Sequence, residues 1–588
     1  MATRELRPSL EDLLAETEFR AASDQFKHPR YGPFVEVRNQ LEEAGRMKDA
    51  DRMQWAADAF MFYERRHRGK GESYFGPLWT AGELEAPEWT NMESARIDFY
   101  AQRALSAANP IIVSRYADIV WEKRKEHRFA RLAGDSYVQA AAIYKERGWY
   151  LQMAGTLVRA ADLALVLRDR DLLRERLTTL QQYLGWIDAT QNYECGLQLV
   201  HALAEIPRRW ISHDLLKSAE QFGLKAAGHY QSLGGDDLFS ERDFLELVRK
   251  IRIRIGDSAG ASEAARMIAE SFEKNGRFKE GDRPIEASGL YNGALQVYGG
   301  LADRRKVQEL LLKIRDCNAR ALKGFAVIRS EIKVSSEEIE KVIDQYTSAS
   351  LDENLRRLSI GFWPNIEAIR ESSRGLKHET PLQFSIPRLI FSGDARVVGQ
   401  ISKEEDLFEQ QMVQRVRVGY QVNAKFIADI LRRLAAQQGL NAERLADFLC
   451  GSQVIRNERR NFLNLGLARY FAGDYVSAIH VLIPQLEYIL RSVLPRIDIA
   501  DTYDDRGIMR VLPLQQILRT PQVANAFGEG LWLHFHTFLV DQDADNVRND
   551  VAHGLIEWES CNETIATIVV HLLLILTAFK FEAQEVRP

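Results

Sequence analysis

Cysteine is sparse in this chain, and what there is lies scattered. Cys195, Cys317, Cys450 and Cys561 stand more than 100 residues apart. That excludes both the disulfide framework of a small secreted domain and the paired spacing of a zinc site. No phosphate loop, dinucleotide fingerprint or His-Glu-x-x-His helix occurs, so neither a metal nor a cofactor is expected. Charge of one sign is also lacking: 78 Lys and Arg against 83 Asp and Glu leave a net charge of −5 over 588 residues. Bulk electrostatic attraction to nucleic acid or to a membrane surface is thereby disfavoured, although a local patch remains open. The longest apolar run, 565–579, falls short of the roughly 20 residues that span a bilayer. It also carries His571 and is closely bounded by Glu563 and Lys580, so it reads as a core helix. Residues 1–8 contain Arg4 and Arg7 and no apolar leader. Together these absences predict a cytoplasmic protein with no membrane partner.

What is present is helix. An apolar share of 46% and a charged share of 27% are those of a globular protein, and the length demands several cores. Ser9 followed by Glu11 and Asp12 predicts an N-cap. A second helix is expected over 53–66, then an ordered loop over 69–89 in which Tyr74, Phe75, Trp79 and Trp89 are buried. Amphipathic runs follow at 95–108, 130–147, 151–168, 172–184, 215–233, 244–255, 261–275, 287–298 and 307–322. The breaks between them carry Gly148, Gly185, Gly234-Gly235, Gly256-Asp257, Gly276 and Gly299-Gly300. No consensus repeat is visible. The expectation is therefore an irregular, solenoid-like helical-repeat region over 1–370, with a surface able to take a protein partner.

Composition then shifts. Residues 371–402 hold Pro381, Pro387 and alternating apolar positions, which predict a linker with a β-hairpin. A basic helical connector is expected over 403–455. Between Gln410 and Tyr470 there are ten basic residues against four acidic ones. Arg456, Arg459 and Arg460 in this window are candidate RNA contacts, because phosphate contacts supply most sequence-independent affinity. The alternative is a solvated helix face.

The final segment, 456–588, reads as a helical bundle with helices near 457–471, 475–494, 523–540 and 561–581. A kink is expected at Pro484. The chemistry concentrates in 545–554, where Arg548, Asn549, Asp550 and His553 occupy one short helix. Asp545 is expected as its N-cap and Gly554 as its terminator, and a capping box at Ser560 is expected to start the last helix. Asn549 and His553, four apart, share a face, so the amide can orient the imidazole. Arg548 and His553 lie about 140° apart on the wheel at ~100° per residue. His480, His534 and His536 read as core or surface histidines.

Arg548-Asn549-x-x-x-His553, extended by Gly554, resembles the Arg-(polar)-x-x-x-His signature of the HEPN superfamily. It is similar to the hallmark of one domain-of-unknown-function family inside it, marked by Arg-Asn-x-x-x-His-Gly. The segment 473–487, which ends in Pro484-Gln485-Leu486-Glu487, is similar to that family's other recurrent stretch. The resemblance covers roughly the last 130 residues. It implies an all-α protein ending in a HEPN-like bundle, an endoribonuclease that needs no metal, and a homodimer whose two motifs meet. It further implies RNA as substrate and a setting such as phage defence or toxin biology. His553 would move the proton, Arg548 would stabilise charge on phosphorus, and Asn549 would orient or bind, with Glu487 and Asp550 in support. A catalytically silent HEPN-like module that binds RNA, nucleotides or protein remains the other reading.

Overall fold

The computed structural model describes residues 8–23, 30–65, 72–81, 84–233, 239–325, 334–392 and 395–581. These residues are mostly helical, with twenty-five α-helices and four two-stranded antiparallel hairpins among them. The chain divides into two compact units, Met1–Cys317 and Asn318–Pro588, with the boundary inside the helix Arg304–Leu322. Residues 318–370, grouped with the helical array on sequence grounds, thus fall with the C-terminal unit. There Leu351, Leu355 and Leu358 share its core.

In the first unit most helices pack on their neighbours in sequence, as His127–Glu146 does on Pro110–Arg124 and on Tyr150–Leu167. Small residues permit the close approach. Ala130, Ala133, Ala140, Ala154, Ala160 and Ala164 are buried where Leu or Phe would hold the backbones apart. Gly276, expected to end a helix, instead lies within Ser258–Lys279. A Cβ there would meet the Tyr291 ring at 2.7 Å, and a Cβ on Gly293 of the facing helix would meet the Phe272 ring at 2.8 Å. Each glycine seats an aromatic ring of the other helix. Gly185 likewise lies inside Arg170–Thr190 rather than at a break; Gly234-Gly235 lies outside the described residues.

Gly32–Glu43, Pro110–Arg124 and Tyr193–Glu205 in this unit have no counterpart in the sequence reading. Pro110–Arg124 shows why, since every residue from 111 to 121 is buried. A helix covered on all sides carries no amphipathic period to detect. Its two charged side chains there find partners inside the protein. Asp118 accepts from Arg159 Nη2 at 2.7 Å, from Arg159 Nε at 2.9 Å and from Tyr137 at 3.0 Å. Arg115 donates to the carbonyl of Ala59 at 2.7 Å. Arg159 also reaches Glu122 at 2.7 Å and lies 3.9 Å above the Tyr74 ring. The loop carrying Tyr74 forms two short hairpins, in which Phe75 and Trp89 are buried as expected but Trp79 is 57% exposed. Residues 66–71 and 82–83 of that region lie outside the described residues.

The second unit is built round Glu563–Thr577, in which every residue from 566 to 576 is buried. Leu351–Ile360, Glu404–Gln438 and Tyr475–Val493 pack on it. Its start is capped by Asn562, whose side chain accepts from the Ile565 amide; Ser560 sits one short turn earlier and is not the cap. The expected hairpin is present as Arg388–Phe391 paired with Val397–Ile401. The 35-residue helix Glu404–Gln438 is no mere connector, because Val416, Tyr420, Ile427 and Leu431 lie in the core. Tyr475–Val493 runs through Pro484 as one helix, with the proline on its exposed side. A hairpin of Thr502–Asp505 with Ile508–Val511, absent from the sequence reading, follows it.

Two buried histidines shape this core. His571 Nε2 lies 3.2 Å from the carbonyls of Leu358 and Gly361, and His534 stacks on Tyr420 at 4.9 Å. Burial drives the imidazole pKa down to about 3 for His534 and about 4 for His571.

Two predictions follow from these interiors. Arg159→Met strands the buried Asp118 without a counter-charge, while Glu122 keeps Lys125 at 2.8 Å, and should cost the first unit about 3–5 kcal/mol in urea unfolding. In the second unit the histidines are neutral when folded but protonate below about pH 6.5 when unfolded. Each should therefore remove stability as pH falls through that value, by up to ~1.4 kcal/mol per pH unit, until its folded pKa is reached. His534→Phe should flatten the slope of denaturation midpoint against pH between 7 and about 5.

Candidate active site

The motif helix is Val547–His553, about two turns long, ended by Gly554 in the left-handed region at φ 66°. Its N-cap is Asn546, itself left-handed at φ 47°, and not Asp545. Asp545 is drawn away by the long helix: it accepts from Arg417 Nε at 2.8 Å and from the Tyr420 hydroxyl. Burial and the neighbouring Asp545 carboxylate push the Tyr420 phenol well above its ordinary pKa, so it stays a donor. Asn546 takes over at the helix start. Its Nδ2 donates to Asp550 Oδ1 at 3.1 Å, and its Oδ1 accepts from Asn549 Nδ2 at 2.7 Å. Asp550 therefore supports the turn rather than the open face of the site.

Glu487 comes from Tyr475–Val493. Arg548 donates to it through Nε at 2.7 Å and Nη2 at 3.1 Å, a two-pronged pair. Arg491, one turn further along, donates to the same carboxylate at 2.5 Å. Burial would raise the Glu487 pKa, but Arg548 and Arg491 outweigh it and hold the carboxyl below its ordinary value. Arg548 Nη1 also donates to Asn549 Oδ1 at 2.9 Å. Asn549 thus spends its amide on Asn546 and Arg548, and the expected Asn549–His553 hydrogen bond is not made. His553, the last helical residue, is exposed and has no hydrogen-bond or ion-pair partner among the described residues. The structure brings Arg548, Asn549 and Glu487 together, and leaves His553 apart at the far end of the helix.

The basic window is largely neutralised. Arg460 pairs with Asp447 at 2.6 Å and Glu443 at 3.4 Å, while Arg456 lies 3.7 Å from Glu458. Arg459 lies over the Tyr488 ring at 3.3 Å. Arg432 meets Glu563, and Arg433 meets Glu340 and Asp344. Several of these acids stand far from the window in sequence, so a run of positive charge folds into mixed surface. Of the remaining histidines, His480 is exposed with Nδ1 2.8 Å from the Val476 carbonyl, and His536 is half-buried 3.6 Å from Asp541. Sequence reasoning missed Arg491, Arg417 and Tyr420. The first was legible as the residue four after Glu487; the other two lie more than a hundred residues from the motif they hold.

Residues 15–176 match the model of a family described as a domain of unknown function, DUF7380. The matched stretch lies in the first unit and takes in Arg159 with its buried partners. No curated protein matches the chain.

Asp545→Ala should cost about 1.5–3 kcal/mol, the range for hydrogen bonds to a charged group. It should also speed amide exchange in Val547–His553 more than elsewhere in the unit, measured by hydrogen–deuterium exchange.

Proposed function

We propose that the C-terminal unit carries a HEPN-like helical domain acting as a metal-independent endoribonuclease, with the first unit as an irregular helical-repeat region that regulates it or tethers a protein partner. One observation carries this reading. The motif residues lie on a single short helix whose arginine is seated against Glu487 of the proline-bearing helix, while its histidine is left exposed. An exposed imidazole can take the proton of a ribose 2′-hydroxyl as that oxygen attacks phosphorus, or return one to the departing 5′-oxygen. The products would be a 2′,3′-cyclic phosphate and a free 5′-hydroxyl. Arg548 and His553 of one chain point apart, so a homodimer, with the arginine of one motif facing the histidine of the other, supplies the pair at one phosphate.

A silent RNA- or protein-binding module is favoured by a different observation. The Arg548 guanidinium is already occupied by Glu487 and Asn549, and a clamped arginine does not stabilise a transition state elsewhere.

End-labelled RNA incubated in EDTA separates the two readings. Cleavage by the wild type that His553→Ala and Arg548→Ala each reduce by about 100-fold or more supports the enzyme, the scale expected for losing a general base or charge stabiliser. Cleavage that survives His553→Ala rejects the site. A light-scattering mass near that of a single 67.3 kDa chain would count against the shared site.

A further inference from the structure

Glu487 sits where an anion would sit. Its Oε1 accepts from Arg548 Nη2 at 3.1 Å and from Arg491 Nη2 at 2.5 Å, and its Oε2 accepts from Arg548 Nε at 2.7 Å. Three N–H groups from two guanidiniums thus converge on two oxygens of one negatively charged group. Two arginine forks closing on tetrahedral or planar oxygens are the arrangement that binds phosphate. The cluster is not sealed in the core: the side chains of Glu487, Arg491 and Arg548 are 15%, 21% and 21% exposed. Arg491 Nη2 also donates to the Leu512 carbonyl at 3.2 Å, and its buried Nε has no hydrogen-bond partner. A glutamate side chain turns about three bonds, so its carboxylate can leave without moving either helix.

We infer that Arg491 and Arg548 form an anion site that the protein fills with its own Glu487, and that a phosphodiester of bound RNA takes the carboxylate's place. The identity of the anion as RNA rests on the function proposed above; the existence of the site does not. Arg491 becomes a phosphate-binding residue that the motif does not include. Glu487 becomes an internal competitor: while it is seated, Arg548 is neutralised, and an incoming phosphate must outbid a carboxylate already in place.

The test uses the full chain and inorganic phosphate as probe, followed by calorimetry at low ionic strength. Glu487→Gln keeps the shape and removes the charge, and should bind phosphate at least about tenfold more tightly than the wild type. The gain should shrink as salt is raised and disappear in Glu487→Gln combined with Arg491→Gln. A folded Glu487→Gln that binds phosphate no more tightly than the wild type overturns the site. Should that variant not fold, Glu487→Asp, which keeps the charge but shortens the reach, must still bind more tightly than the wild type, and no gain there overturns it too. Short single-stranded RNA is titrated in parallel. A gain for phosphate without a gain for RNA overturns the RNA assignment and leaves the anion site. Absence of cleavage in EDTA, with both gains present, counts against the ribonuclease and not against the site.

Discussion

Each unit depends on the desolvation of one whole helix. Residues 111–121 in the first and 566–576 in the second are buried without a break, so every polar group on them must be paired internally or kept neutral. The two helices meet that demand in opposite ways. Pro110–Arg124 carries Arg115 and Asp118, and the fold answers with carbonyls, Arg159 and Tyr137. The buried part of Glu563–Thr577 is almost wholly apolar, and burial keeps its His571 neutral although the carbonyls of Leu358 and Gly361 lie 3.2 Å from Nε2. Thr567 finds the Tyr470 hydroxyl at 2.9 Å. The stretch matched by the family model is the one with the charged solution. A buried ion network is weak evidence of net stability, but removing one member is costly, because the remaining charge has no water to turn to.

The candidate site follows from the second solution. The Glu563–Thr577 helix fills the centre, so the short helix before it is held from the side. Arg417 and Tyr420 grip Asp545, and Glu487 grips Arg548. The motif is thereby fixed at its start and left open at its end. This explains why Arg548 and His553, close in sequence, belong to different environments. One lies in a charge-compensated crevice and the other at the surface. The same fixation makes Glu487 and Arg491 as much a part of the site as the motif residues.

Much of the helical content was legible, because exposed helices alternate apolar and polar faces with a 3.6-residue period. The runs at 130–147, 151–168 and 475–494 match their helices to within a few residues. Legibility failed where burial was complete or where turn chemistry was shared. Pro110–Arg124 has no polar face to mark it. Gly185 and Gly276 looked like terminators, but Gly276 serves as a seat for an aromatic ring. Asp545 and Ser560 are both competent caps, yet Asn546 and Asn562 hold those positions. Local capping rules name the residue types that can cap; they do not say which of two neighbours is claimed by something distant.

By itself the sequence determined the mostly helical character, the place of the hairpin at Arg388–Ile401, the core role of the last apolar helix and the gathering of Arg548, Asn549 and His553 on one turn-bounded segment. These are consequences of periodicity and of neighbours within about five residues, which the backbone geometry of a helix converts directly into proximity. Only the tertiary structure decided that the units divide at Cys317, that the basic window is neutralised by Glu563, Glu340 and Asp344, and that Arg548 is shared with Glu487 and, through it, with Arg491. Those outcomes depend on pairs separated by scores of residues. Charges so far apart in the chain meet only when packing has chosen which helix faces which.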